Sequence, residues 1–370
     1  MRWSVRHACI AAAIGLVVAS SSIQASDDRR AVLESAEIDL AGGDAAAAAA
    51  GFERAGAMAH TADAEMGAVR AMLQQGEYRR ALAFCAHVAG AHLDAPEAAV
   101  LYAWLLRVGG HWRESEGVLA AATRRSPAHP VVQQAARALS MPLPTASGAL
   151  LDTPHRLAPA ASDIAAGRVV SSGVLFDDGR RALIPVLATA LAPGSRLWVR
   201  TGLGPAREAM IDGAASPSDG RVLILRLAEP LPSDRMGSSD GRAPFAGSPA
   251  FVAEYAEGDS QAPAWPWLRS GFLGSPQRDG KSSRLGVEVA AQRLGGPVFD
   301  ASGQVAGIAL RGVDGQAQLL PTSNWPRFGT TKTATTAAAV ETSAAGRPPL
   351  AGDEIYERAL RRALQVIAVP

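Results

Sequence analysis

Acid–base or nucleophilic chemistry in this 370-residue chain would have to come from very few side chains. The seven histidines are His7, His60, His87, His92, His111, His129 and His155, so none lies in 156–370. The chain has two lysines, Lys281 in the polar loop "QRDGKSS" and Lys332 in a Thr/Ala-rich tail, and neither setting predicts a desolvated, reactive amine. A serine hydroxyl is barely ionised at neutral pH and needs a neighbouring base to take its proton. The last two thirds of the chain therefore contain serines but no imidazole to activate them. The cysteines are Cys9 and Cys85, and there is no CxxC, no HExxH and no clustered Cys/His, so spacing predicts no metal site, and no cofactor is expected.

The elements that would carry these residues fall into blocks. Residues 1–25 have a basic start (Arg2, Arg6), the apolar run "ACIAAAIGLVVA" and the small-residue exit "SSIQA", the order of a secretory signal cleaved near Ala25. That run is too short to span a bilayer well, so no transmembrane segment is expected after cleavage. Cleavage takes away two of the 36 basic residues and none of the 35 acidic ones, leaving a net charge of −1, which calls for neither nucleic acid nor an anionic membrane. Only Cys85 would remain, so no internal disulfide can form. With 48% apolar and 19% charged residues, the rest suits two ordinary globular domains.

Residues 27–140 contain a repeat. "LAGGDAAAAAAGFERA", "LQQGEYRRALAFCAHV" and "RVGGHWRESEGVLAAA" place Gly43, Gly76 and Gly110 at a spacing of 33 and 34 residues, the period of a helix–turn–helix unit. Glycine supplies each turn, the small residues Ala48, Ala81 and Ser115 let paired helices approach, and Phe52, Cys85 and Leu119 fill between them. Pro127 ends the last unit and "HPVVQQAARAL" predicts a closing helix. The pattern resembles tetratricopeptide repeats, with Tyr78 and Trp112 at the family's aromatic position and Ala45 in its place in the first copy. That resemblance implies a solenoid whose groove binds a protein partner, with Tyr78 and Trp112 as candidate contact residues.

After an aperiodic linker (141–164), short apolar runs between Gly, Asp, Ser and Pro turns predict about ten strands over 165–329, a β-barrel or sandwich pair. "SSGVLFDDGRRALIPVLATA", "SPSDGRVLILRL", "QRLGGPVFDASGQVAGI" and "LLPTSN" together resemble a trypsin-like (chymotrypsin-fold) serine peptidase of the bacterial periplasmic type. The resemblance implies a double β-barrel behind the helical solenoid. Carried over residue by residue, it puts Leu187 at the catalytic histidine and Arg221 at the aspartate, with Asp219 two residues early. Leu294 stands at the serine, and Gln292 at the glycine whose backbone helps bind the oxyanion. Two leucines facing the former triad would fill it as packing, so the domain is expected to be inactive. The remaining route to catalysis is a base lent by His155 or by the repeat domain.

Other features stay open. Glu288, six residues before Leu294, suits an outward strand position better than a cation-binding remnant. Trp265 and Trp267 in "APAWPWLRSG" form a contact patch or pack between barrels. Residues 330–352 are of low complexity, and 353–369 are expected to be one amphipathic helix that buries its apolar face on the barrel, in the repeat groove or on a partner. These readings converge on an exported, non-catalytic scaffold or adaptor of the periplasm, binding protein partners and open to membership in an envelope assembly. Secretion from the cell is the other destination, and a divergent serine endopeptidase with an unusual base is the second function.

Overall fold

The computed structural model describes residues 26–140, 164, 166–186, 194–212, 221–233, 245–255, 258–259, 265–277, 282–287, 295–312, 315–325 and 348–370. Seven antiparallel helices come first: α1 (26–42), α2 (Ala45–Met58), α3 (Ala62–Gln74), α4 (Tyr78–Ala91), α5 (Pro96–Val108), α6 (Trp112–Arg125) and α7 (Pro130–Leu139). Gly43, Gly76 and Gly110 sit in the α1–α2, α3–α4 and α5–α6 turns with φ of 92°, 81° and 90°, a backbone state that strains any residue with a Cβ. Ala48, Ala81 and Ser115 are buried where neighbouring helices approach, and the Ser115 hydroxyl donates to the Ala103 carbonyl at 2.7 Å. The 33-residue period thus corresponds to three helix pairs, which α7 closes by packing on α5 and α6.

Two closed antiparallel barrels of six strands follow. The first is formed by β1 (Arg168–Phe176), β2 (Arg181–Pro185), β3 (Arg196–Thr201), β4 (Ala206–Ile211), β5 (Val222–Leu227) and a last strand, β13 (Ala363–Val369). The short β7 (Gly258–Asp259) adds to the start of β1. The second barrel is β6 (Pro249–Glu254), β8 (Trp267–Pro276), β9 (Ser283–Gly286), β10 (Pro297–Asp300), β11 (Val305–Arg311) and β12 (Ala317–Pro321). Each barrel has its own apolar interior, and Val174, Phe176, Leu183, Val222 and Ile224 of the first meet Ile308, Leu310, Leu320 and Trp325 of the second between them. Closure removes the unpaired strand edges that an open sheet would expose.

The tail departs from expectation. Residues 353–369 do not form one helix: α8 (Gly352–Arg362) ends at Arg362, and Ala363–Val369 runs as β13 between β1 and β3, pairing Leu364 with both Gly173 and Thr201. Leu364 and Val366 point into the barrel, while Ala363 and Ile367 join the apolar layer outside it. A run buried on both faces has no strand alternation to display, and Leu360, Ala363, Leu364 and Ile367 happen to fall at helical spacing. The β-branched residues Val366, Ile367 and Val369 were the remaining signal for a strand.

Leu364→Ala should therefore cost about 2–5 kcal/mol, the usual range for a buried Leu to Ala change. Urea denaturation checks it: the midpoint should fall with little change in slope, whereas a substitution on a dispensable arm would move stability by no more than about 0.5 kcal/mol.

Candidate functional site

Of the three positions matched to a catalytic triad, only Arg221 falls among the described residues. Leu187, Leu294 and Gln292 lie outside the described residues, as do Asp219, Glu288, Lys281, Lys332 and His155. Their neighbours are in place. Arg221 is half-buried in the bend before β5, and its carbonyl accepts the Val186 N–H at 3.0 Å, tying the end of β2 to the start of β5. Gly295 has φ of 122°, and a Cβ there would lie 2.5 Å from the Pro185 ring and from the Ser172 carbonyl oxygen. A Cβ on Gly296 would fall 1.7 Å from the Ala253 carbonyl oxygen. The two glycines are thus required by the backbone packing itself, whatever chemistry the loop supports.

Ser172 lies against this frame but is engaged. It is 2% exposed, and its hydroxyl accepts the Tyr255 N–H at 2.8 Å and reaches the Tyr255 carbonyl at 3.5 Å. That clips β1 to the end of β6 and so joins the barrels. Beside it, Glu254 and Arg269 form an enclosed ion pair at 3.0 Å. Burial pushes the Tyr255 hydroxyl well above the ordinary tyrosine range, so it is a hydrogen-bond donor rather than an acid. Burial also lowers Arg200 to about 10, and its guanidinium donates to Gln365 of β13 at 2.7 Å.

The second constellation is the junction of the helical domain, α8 and the barrels. Ile355, Tyr356, Ala359 and Leu360 of α8 are fully buried. The Tyr356 hydroxyl donates to the Pro266 carbonyl at 2.9 Å, and its ring lies 4.3 Å from that of Tyr78. Tyr78 in turn donates to the Leu105 carbonyl at 2.8 Å. Arg358 donates to the carbonyls of Ser302 and Gly303 at 2.9 and 3.0 Å, Arg362 to that of Leu175 at 3.4 Å, and Arg79 pairs with Glu354 at 2.8 Å and Glu357 at 3.3 Å. His111 meets Asp353 at 2.5 Å, and this hydrogen bond raises the imidazole above its ordinary value against the opposing effect of burial.

These contacts revise the expectation for the four aromatic residues. Tyr78, Trp265 and Trp267 are 0%, 3% and 6% exposed, which removes them from any partner-binding surface. Trp267 packs edge-on against Trp104 of α5 with ring centroids 5.6 Å apart, so it joins barrel to helices rather than barrel to barrel. Trp112 is half-buried, with the Arg107 guanidinium 4.0 Å and the Arg269 guanidinium 5.2 Å from its ring centroid, a cation–π bridge across the same junction. The cause is the location of these residues: the turns preceding α4 and α6, where the periodic glycines place aromatics, are the edge on which α8 and the second barrel dock. Of the three resting places open to the tail helix, α8 occupies its own barrels and that turn edge together. Burial also raises the Cys85 thiol, which leaves it inert.

A third set was not legible from spacing. His60, Glu65 and His92, separated by 5 and 27 residues, come together at the α2–α3 turn and the end of α4. Among the described residues no helix is long and apolar enough to cross a membrane.

No family model matches the chain, and no curated protein matches it. Among solved structures it is similar to the MamO protease domain from Magnetospirillum magneticum in its apo form, at 18% identity over 43% of this chain and 93% of that one, with a TM-score of 0.33. It is also similar to the serine endoprotease from Yersinia pestis, at 17% identity over 43% and 60% with a TM-score of 0.33. A third, the HtrA-type protease AlgW with decapeptide, matches at 17% identity over 42% and 48% with a TM-score of 0.33. This chain thus spans less than two thirds of the last two. Its two closed six-stranded barrels give it a trypsin-like double β-barrel behind a helical N-terminal region.

Tyr356→Phe should cost about 1 kcal/mol, the worth of one hydrogen bond, and Tyr356→Ala about 3–5 kcal/mol, both read from urea unfolding. Asp353→Asn tests the His111 pair. Because the folded imidazole is raised, its contribution is fully present below the ordinary histidine value of about 6.5 and fades as pH rises through the folded value. The melting-temperature gap between wild type and Asp353→Asn should therefore be wider at about pH 5.5 than at about pH 8.5.

Proposed function

We propose that this chain is an exported, non-catalytic scaffold in which a trypsin-like double barrel has lost its triad and a tetratricopeptide-like helical domain offers the surface for a protein partner. The observation that carries this reading is a frame kept without its chemistry. The glycine turn at 295–296 is packed against Pro185, Ser172 and Ala253, while residues 156–370 hold no histidine. A serine in that domain would have no imidazole to take its proton. The nearby serine hydroxyl of Ser172 is committed to backbone, and the imidazole that meets the barrels' own tail, His111, is committed to Asp353.

The tetratricopeptide identity draws support from the three helix pairs turning at Gly43, Gly76 and Gly110. Since the turn edge of this stack is covered by α8 and the barrels, a partner would bind elsewhere on the helices. Residues 1–25 have the order of an export signal, which supports a periplasmic location and, for an adaptor there, a place within reach of an envelope assembly.

Labelling of the purified protein with a fluorophosphonate probe is the test, and no covalent adduct is expected by intact mass. Stoichiometric labelling abolished by one serine substitution would replace the scaffold reading with that of a divergent serine endopeptidase.

A further inference from the structure

The structure carries a second feature with the makings of a chemical site, far from the barrels. His60 lies in the turn between α2 and α3, Glu65 in the first turn of α3, and His92 at the C-cap of α4. The two oxygens of one carboxylate face two different imidazoles: Glu65 Oε1 is 2.9 Å from His60 Nε2, and Glu65 Oε2 is 3.0 Å from His92 Nε2. The side chain of Glu65 is only 7% exposed, so the carboxylate is held inside the helical domain and aimed at both rings. Those rings lie nearly parallel, 25° apart with centroids separated by 5.7 Å, and the three donor atoms all lie within 4.8 Å of one another. Three of the seven histidines, His60, His87 and His92, gather here, with the His87 ring edge-on to His60 at 6.4 Å.

Without an ion, each imidazole can donate its Nε2–H to one oxygen of the carboxylate. The same groups, with the imidazole nitrogens unprotonated toward the centre and the carboxylate ionised, are the donors a divalent cation needs. Two imidazoles and one carboxylate suit zinc or its first-row neighbours and do not suit calcium or magnesium, which prefer all-oxygen sets. In a tetrahedral site with bonds of about 2.1 Å, ligand atoms lie about 3.4 Å apart. The two Glu–His separations, each to a different carboxylate oxygen, are about 0.4–0.5 Å shorter than that value, so the imidazoles must draw back slightly to admit an ion, and the His60 side chain, 68% exposed, has room to move. The fourth position opens toward solvent, with His87 exposed one turn back on α4.

The geometry points to a zinc-class metal site formed by His60, Glu65 and His92, with its fourth position open to water or His87. It would pin the α2–α3 turn to the end of α4. That end lies a full helix, about 20 Å for 14 residues, from the Tyr78 end that docks on α8. The site is therefore reachable in the folded protein and independent of the barrel centre.

The test uses untagged, chelator-treated full-length mature protein titrated with zinc chloride by calorimetry, then with cobalt(II) followed by visible absorption. One metal per chain and tetrahedral cobalt bands are expected. His60→Ala and His92→Ala should each weaken binding by at least about 100-fold, beyond the 10–100-fold typical of losing a supporting residue. His129→Ala, which removes a different His–Glu pair, should leave binding unchanged. Because His60 is exposed, its alanine variant should retain the far-ultraviolet circular dichroism of the parent and so separates lost ligation from lost folding. Absence of bound zinc, or unchanged affinity in the His60→Ala/His92→Ala double variant, overturns the site.

Discussion

An antiparallel barrel of this size closes only when its sixth strand is present, and here that strand is the end of the chain. β13 enters between β1 and β3 and satisfies both edges, with Leu364 and Val366 filling the interior. Nearly everything else in the arrangement follows from this. For residues 363–369 to reach that slot, the preceding helix must lie across the mouth of the junction, where it meets both barrels and the helical domain at once. The apolar cluster that results runs without a break from α3 through Tyr356 to Ile367, Trp265 and Trp267. The helical repeats and the barrels thus share a core and are not tethered modules.

That shared core takes up aromatic residues suited to a binding surface: Tyr78, Trp265 and Trp267 lie within it. An aromatic at the start of α4 or α6 sits beside a turn glycine, and a turn edge is flat enough for a second domain to cover. Tyr78 and Trp112 are covered in this way, each with a polar partner where burial would otherwise strand a donor or exclude a charge. Under the proposed function, a protein partner of the helical domain would bind on surfaces away from the barrels.

The barrel contact is held by steric constraint. Gly295 and Gly296 are confined by Pro185, Ser172 and Ala253, backbone and ring atoms that cannot step aside. Selection on packing alone would keep them. The glycine turn is thus a steric requirement of the fold, and the absence of histidine from 156–370 is a separate fact of the sequence.

Local signals carried far in this chain. The 33-residue spacing of glycines disclosed the helix pairs because a turn needs positive φ every time it recurs, and the alternation of short apolar runs with turns disclosed two barrels' worth of strands. The absence of histidine beyond residue 155 is likewise complete in the sequence. What required tertiary structure was every feature made by residues distant in the chain. Ala363–Val369 is a strand only because β1 and β3 leave a slot whose two faces are both apolar, and in isolation its pattern fits a helix equally well. Trp267 became packing only when Trp104 of α5 arrived against it. His60, Glu65 and His92 share no motif spacing, and they meet because α3 and α4 run antiparallel and bring a turn and a helix end to the same height. Sequence periodicity records what each segment does with its own backbone, while long-range contacts depend on which surfaces happen to face, and no local pattern encodes that.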